Sequence, residues 1–185
     1  MSARTTPAGE ASFVGVLAAH ERLDEIFALH QELLLLREPE LPLEVLAAYK
    51  KLLLEHMQHE EQLLFPIFER EPAHPRWPLL LYQGQHKKLL GLLDSCLAAL
   101  ERAKSRGRLE RAFVIALLER ETTFKHLAEH HDGAERQGFF PALDAKASDE
   151  ERRQLPARCR AEFAAAVDEV APLLERARAR LLAQP

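Results

Sequence analysis

Several residue types are scarce in this chain of 185 residues, and each scarcity excludes something. There are 7 glycines, and aromatic residues make up 6% of the chain. That composition disfavours the turn-rich, aromatic-rich pattern of sheet proteins and points to helices. There are 2 cysteines, Cys96 and Cys159, far apart and without redox or metal-ligand spacing. A disulfide framework and a thiolate metal site are therefore not expected, and buried or free thiols in a reducing compartment are. No apolar run reaches the ~18 residues of a membrane span. The first residues carry no hydrophobic signal region, so a cytoplasmic protein with no membrane partner is expected. The formal net charge is −4, with basic residues scattered among acidic ones. Nothing there has the footprint of a nucleic-acid binder, and Arg176, Arg178 and Arg180, the densest basic run, read as a solvated face.

What is abundant is leucine and alanine, within a hydrophobic content of 47%. The length suits one domain with a sizeable core. Residues 1–11 read as a short flexible tail. Ser12 is a plausible N-cap for a helix to about Arg37, with Phe13, Val16, Leu17, His20, Leu23, Phe27 and Leu34 at helical spacing. Pro39 and Pro42 break it. A second helix runs from about Leu43 to Arg70 and should kink at Pro66. The proline-rich stretch 71–78 is the clearest linker. A third helix spans roughly 79–105 and ends near Gly107. A fourth runs from about Leu109 to Gly138 and is closed by Pro141. Ser148 and Glu151 look like a capping box that opens a last helical region, expected to break near Pro156 and to bend near Pro172.

Within this frame one stretch occurs twice. His56 and Glu60 stand four residues apart, and Pro66 follows; His131 and Glu135 stand four apart, and Pro141 follows. Aligned on the two prolines, Gln62 also matches Gln137 and Phe65 matches Phe140. One further histidine lies on the apolar stripe of each remaining helix, His20 and His86. The midpoints between successive histidines of the series 20, 56, 86 and 131 fall at 38, 71 and about 108, on turns read independently from proline and glycine. Antiparallel helices then place all four imidazoles at one height. Glu60 and Glu135 share their histidines' faces, since positions four apart are neighbours on a helix. The expectation is an all-α, up-down-up-down four-helix bundle over 12–141, with residues 142–185 as a helical extension packed on it. Four imidazoles and two carboxylates converge in its core.

Buried polar groups without partners cost ~1–3 kcal/mol each, against a net stability of ~5–15 kcal/mol. A pair of metal ions held by His20, His56, Glu60, His86, His131 and Glu135 removes that cost. Imidazole and carboxylate without thiolate suit iron or manganese better than structural zinc. With both carboxylates bridging and one solvent bridge, about ten of the about twelve bonds of two octahedral ions are supplied, leaving about one open position per ion. The remaining histidines read differently. His59, His126 and His130 are surface or supporting residues, and His30 and His74 lie away from the site. Asp24 is an additional carboxylate near His20. Tyr49 and Tyr82 share faces with the ligands. Gly133 permits close backbone approach or is neutral.

The set His20, His56-x3-Glu60, His86 and His131-x3-Glu135, with each His-x3-Glu leading to Phe-Pro, resembles the hemerythrin-like (HHE) cation-binding domains over roughly residues 13–141. The resemblance implies a non-haem di-iron centre, two Fe ions with an oxo or hydroxo bridge. The four histidines would be terminal ligands and the two glutamates bridges. It further implies binding of O2 or another small ligand (NO, peroxide) at an open iron position, for storage, delivery or sensing, with no catalytic residues of its own. The alternatives are an iron-handling or iron-repair protein, or a di-iron oxidase or peroxidase.

Overall fold

The computed structural model describes residues 12–70 and 78–183. The expected tail 1–11, most of the proline-rich linker and His74 lie outside the described residues. All regular structure among the described residues is helical, and none of these helices is long and apolar enough to cross a membrane.

A 3-10 turn, Phe13–Leu17, leads into α1, Ala18–Leu35. Ser12 caps it as expected, accepting from the Val14 N–H at 3.2 Å. The Ser12 hydroxyl and the Phe13 N–H both donate to Asp144, at 2.7 and 2.9 Å, and so pin the entrance of the chain to its far end. The next helix, α2, spans Glu40–His59 and begins three residues before the expected Leu43. Pro42 sits in its first turn, where an N–H has no helical partner to lose. The α1–α2 turn turns on Arg37, at φ 64°, an uncommon conformation for a residue with a side chain. Two bonds hold it there: Arg37 Nε donates to Leu109 O at 2.7 Å, and the Leu109 N–H donates to Arg37 O at 2.8 Å.

Beyond α2, a π turn, Glu60–Leu64, passes into the short α3, Phe65–Phe68. Then come α4, Leu79–Lys104, and α5, Arg111–Ala134. Between them Gly107 adopts φ +77°, the conformation that only glycine takes without strain. A second π turn, Glu135–Phe139, leads into α6, Phe140–Lys146. Helix four therefore does not close at Pro141. In both copies of the repeat the N–H before the proline bonds five residues back, Phe65 to Glu60 O and Phe140 to Glu135 O. Widening the turn by one residue moves the carbonyl that the proline ring would strike in an α-helix, and the chain stays helical.

The last helix, α7, runs unbroken over Asp149–Leu182 with Pro156 and Pro172 inside it. The expected break at Pro156 is absent. Cys159, Phe163, Ala166, Leu174 and Ala177 are buried along its length, and that burial outweighs the ~3 kcal/mol an internal proline costs. The expected capping box is present, with the Ser148 and Glu151 side chains each bonded to the other's backbone N–H. Arg70 adds a two-pronged contact to Glu151, at 2.8 and 2.5 Å. That contact and the Ser148 N–H hold the Glu151 carboxyl down to about 2 from its usual 4.5. A carboxyl depressed in the folded state stabilises above its unfolded pKa and loses that contribution as pH falls toward the folded value. The first turn of α7 is accordingly expected to lose hydrogen-exchange protection between about pH 4.5 and 2. Glu151→Gln should flatten that dependence, and an unchanged profile in the variant would refute it.

Helix α1 packs on α2 and α5, α4 packs on α2 and α5, and α7 lies along α1 and α2. The buried apolar residues form two clusters. The larger contains Leu23, Phe27, Leu52, Leu93 and Phe124. The smaller contains Phe13, Leu64, Phe65, Tyr82, Phe139 and Phe140. Four of the six predicted ligands fall, along the chain, between a residue of one cluster and a residue of the other. His20 falls between Leu17 and Leu23, Glu60 between Met57 and Leu64, His86 between Tyr82 and Leu89, and His131 between Phe124 and Phe139. A polar layer thus crosses the helices at one level.

Candidate metal centre

All six predicted residues meet in that layer. His56, Glu60, His86, His131 and Glu135 are buried, and the His20 side chain is 11% exposed. Glu60 and Glu135 each stand at the first residue of a π turn, a feature frequent at functional sites.

The two carboxylates divide their oxygens in the same way. Glu60 places Oε1 3.2 Å from His56 Nε2 and Oε2 3.1 Å from His86 Nε2. Glu135 places Oε1 2.9 Å from His131 Nε2 and Oε2 3.3 Å from His20 Nε2. Two overlapping quartets result, His20–His56–Glu60–Glu135 and Glu60–His86–His131–Glu135. Each has its ligand atoms within 4.8 Å of one another and could hold a metal ion. Both quartets use both carboxylates.

The proximity is not hydrogen bonding. Both oxygens of Glu60, both of Glu135, and the Nε2 atoms of His86 and His131 are buried without a hydrogen-bond partner among the described residues. Orphans of this kind are rare in folded proteins. His20 Nε2 and His56 Nε2 face each other at 2.7 Å, a distance at which at most one can carry a proton without repulsion. Imidazole nitrogen and carboxylate oxygen without sulfur fit first-row transition cations, so the donor set and its unsatisfied atoms suit the metal pair inferred from sequence.

Outside the ring of ligands, three histidines are held by their other nitrogen. His86 Nδ1 donates to Glu61 at 2.7 Å and His131 Nδ1 to Gln85 Oε1 at 3.1 Å, while His20 Nδ1 contacts the Asp132 carboxylate. Each anchor aims Nε2 inward, the arrangement that metal-ligating histidines show almost universally. Sequence reading missed Asp132, Glu61 and Gln85. Each is the immediate sequence neighbour of a ligand, and the histidine that it serves is on another helix in all three cases. Helix rotation, which the sequence does not display, decides that pairing.

The electrostatics follow from burying two carboxylates together. Burial and the charge of Glu60 push the Glu135 carboxyl well above its usual range. Burial works against Glu60, yet the charges and contacts of His56 and His86 hold its carboxyl well below that range. Burial likewise opposes charge on His86, but Glu60 and Glu61 raise its imidazole to about 9. His131, dominated by burial, falls to about 4. Against burial, contacts with His20 and Arg136 hold Asp132 down to about 2, so the anchor of His20 stays ionised.

Removing that anchor gives a direct test. Asp132→Ala is expected to weaken metal binding roughly 10–100-fold, the usual effect of losing a ligand's outer partner. His126→Ala should leave affinity unchanged, because the His126 side chain is 68% exposed and pairs with the exposed Glu129, at 3.3 Å. Competition against a chelator of known affinity measures both; equal effects from the two variants would refute the assignment.

The other histidines separate. His126 and His130 are exposed. His59 is buried against Glu162 at 2.8 Å, and His30 is fully buried against Glu121 at 2.8 Å, so neither is bland. The Tyr82 hydroxyl donates to Ala134 O at 3.2 Å, on the residue before Glu135. A Cβ at Gly133 would meet only Gln137 Nε2, at 4.0 Å, so close backbone approach is not its purpose.

A cavity of about 360 Å³ abuts the layer on the side of the larger cluster. His20, His56 and His131 form its end, Phe27, Tyr49, Leu89 and Phe124 its walls, and Asp24, Lys125 and Glu129 line its exposed part.

Fold and site together define an all-helical protein with a buried histidine–carboxylate cluster able to hold metal. The chain matches no family model, no curated protein and no solved structure.

Proposed function

We propose that the chain is a non-haem di-iron protein, built as a four-helix bundle of the hemerythrin-like kind with α7 as an added helix. It takes O2 or a related small ligand such as NO or peroxide, for storage, delivery or sensing. The observation that carries this reading is the division of Glu60 and Glu135, each with one oxygen toward either histidine pair. Two carboxylates shared by two quartets suit two adjacent ions better than one. His20, His56, His86 and His131 would complete the ligand set. Iron held there supplies redox chemistry and a position for a small ligand.

The chain's own residues prepare that position. Asp132, Glu61 and Gln85 fix the imidazoles before any ion arrives. Apolar clusters above and below keep bulk water out of the layer. The adjoining cavity gives a small molecule access to the histidine end, and Tyr49 lines it. Burial raises the Tyr49 phenol far above its usual range, so it keeps its proton and can donate a hydrogen bond within the cavity.

The volume of the cavity favours a second reading. A space of about 360 Å³ falls within the ~300–1,000 Å³ of organic-ligand pockets, which suits the oxidation of a small apolar molecule. One experiment separates the two. The protein is loaded with Fe(II) without oxygen, iron is counted per chain, and the visible spectrum is followed as O2 is admitted and removed. A charge-transfer band that comes and goes with O2 supports a carrier or sensor. A band that does not reverse, with steady consumption of O2 and a reductant, supports an oxidase. Absence of bound iron overturns both.

A further inference from the structure

Outside the central layer, His59 gathers a second set of donors. Its Nε2 lies 2.8 Å from Glu162 Oε2 of α7 and 3.3 Å from Glu55 Oε1, one turn back on α2. One ligand atom from each of the three lies within 4.8 Å of the other two. His59 is 6% exposed, while the Glu55 and Glu162 side chains are 38% and 39% exposed. The imidazole is therefore fixed in the wall of the protein and the carboxylates reach solvent. Arg158 Nε holds Oε1 of Glu162 at 2.7 Å, which leaves Oε2 for the histidine side.

An ordinary ion pair would need one carboxylate for one imidazole. Here two carboxylates from two helices converge on a single ring nitrogen, and the three donors are of the types that a transition cation takes from protein. The surroundings add a direction. A cavity of about 280 Å³ between α7 and the α1–α2 face is lined by His59 and also by His56, together with Arg22, Cys159, Phe163 and Asp168. His59 is three residues after His56 and one before Glu60 on the same stretch of chain. One member of the trio, His59, and one of the buried layer, His56, thus line the same space.

We propose that Glu55, His59 and Glu162 bind a single divalent transition-metal cation at the α2–α7 seam and feed it through this cavity to the central cluster. The binding site stands on its own geometry. The feeding role rests on the paired-metal reading given above.

The test uses the full chain and Co(II), whose visible absorption and count per chain report each bound ion. The control variant is Glu55→Gln with Glu162→Gln, which keeps side-chain volume at two partly exposed positions and leaves the central ligands untouched. The expected result is three Co(II) per chain in the native protein and two in the variant, with the central pair filling several-fold more slowly in the variant. Two ions per chain in both proteins would overturn the seam site and leave the central pair standing. One ion in the native protein and none in the variant would support the seam site and sink the central pair. Three ions that fall to two, with central filling equally fast in both proteins, would overturn the feeding role.

Discussion

Glu60→Gln is expected to lower the metal held in the central layer from two ions per chain to well below one, and to lower the melting temperature of the metal-free protein as well. The two effects have one origin. Glu60 gives an oxygen to each histidine pair, so the neutral amide weakens both quartets at once. In the absence of a cation the same carboxylate is held well below its usual range, against burial, by the charges and contacts of His56 and His86, and in turn it helps to raise His86 to about 9. The amide keeps the side-chain volume and forfeits those charge contacts. A saturating ligand at 100–1,000 times its Kd stabilises by roughly 3–4 kcal/mol, which for a chain of this size is roughly 10 °C in Tm. The native protein should therefore gain about that much on loading and the variant very little. Metal analysis and melting with and without Fe(II) check both halves. A variant that still loads both ions would remove Glu60 from the ligand set. A metal-free variant that melts as high as the native protein would show those contacts to be idle.

The second large effect lies away from the layer. Glu121→Ala is expected to cost about 3–5 kcal/mol, the usual consequence of removing one member of a buried pair. His30 and Glu121 are both fully buried. His30 Nδ1 donates to Pro42 O at 2.8 Å, its Nε2 lies 2.8 Å from Glu121 Oε1, and Gln31 Nε2 donates to Oε2 at 3.0 Å. Truncating the glutamate strands two donors together. Replacing both partners with leucine should recover most of the loss, because an apolar pair is often no worse than a buried ionic one. Urea unfolding of the native protein and the two variants measures this, and metal content at low temperature should not change in either variant. A cost below about 1 kcal/mol for Glu121→Ala would show the pair to be idle.

The helices and the six converging residues were legible because the signals were local or arithmetic. Proline and glycine marked the turns. Equal distances on either side of those turns brought the histidines to one level. The spacing of four between His56 and Glu60, and between His131 and Glu135, fixed a shared face. What escaped depended on contacts between distant parts of the chain. His30 and His59 read as unremarkable until Glu121 and Glu162, 91 and 103 residues away, closed on them. Pro141 and Pro156 read as terminators because local propensity says so. A widened turn overcame the first and a buried helix face the second. The anchors Asp132, Glu61 and Gln85 were hidden for the same reason, since neighbours in sequence serve rings on other helices or point where only packing can tell.

The polar layer has a mechanical consequence. It divides the apolar interior into two separate blocks, so without a cation the plane between them is where cohesion is least. Local opening should begin there, with each block surviving as its own cooperative unit. Helices α4, α5 and α7 each carry buried side chains of both blocks: Tyr82 in one and Leu89 and Leu93 in the other on α4, Ala134 and Phe124 on α5, and Cys159 and Phe163, Ala166, Leu174 and Ala177 on α7. They are splints across a fault, and a bound cation would be its weld.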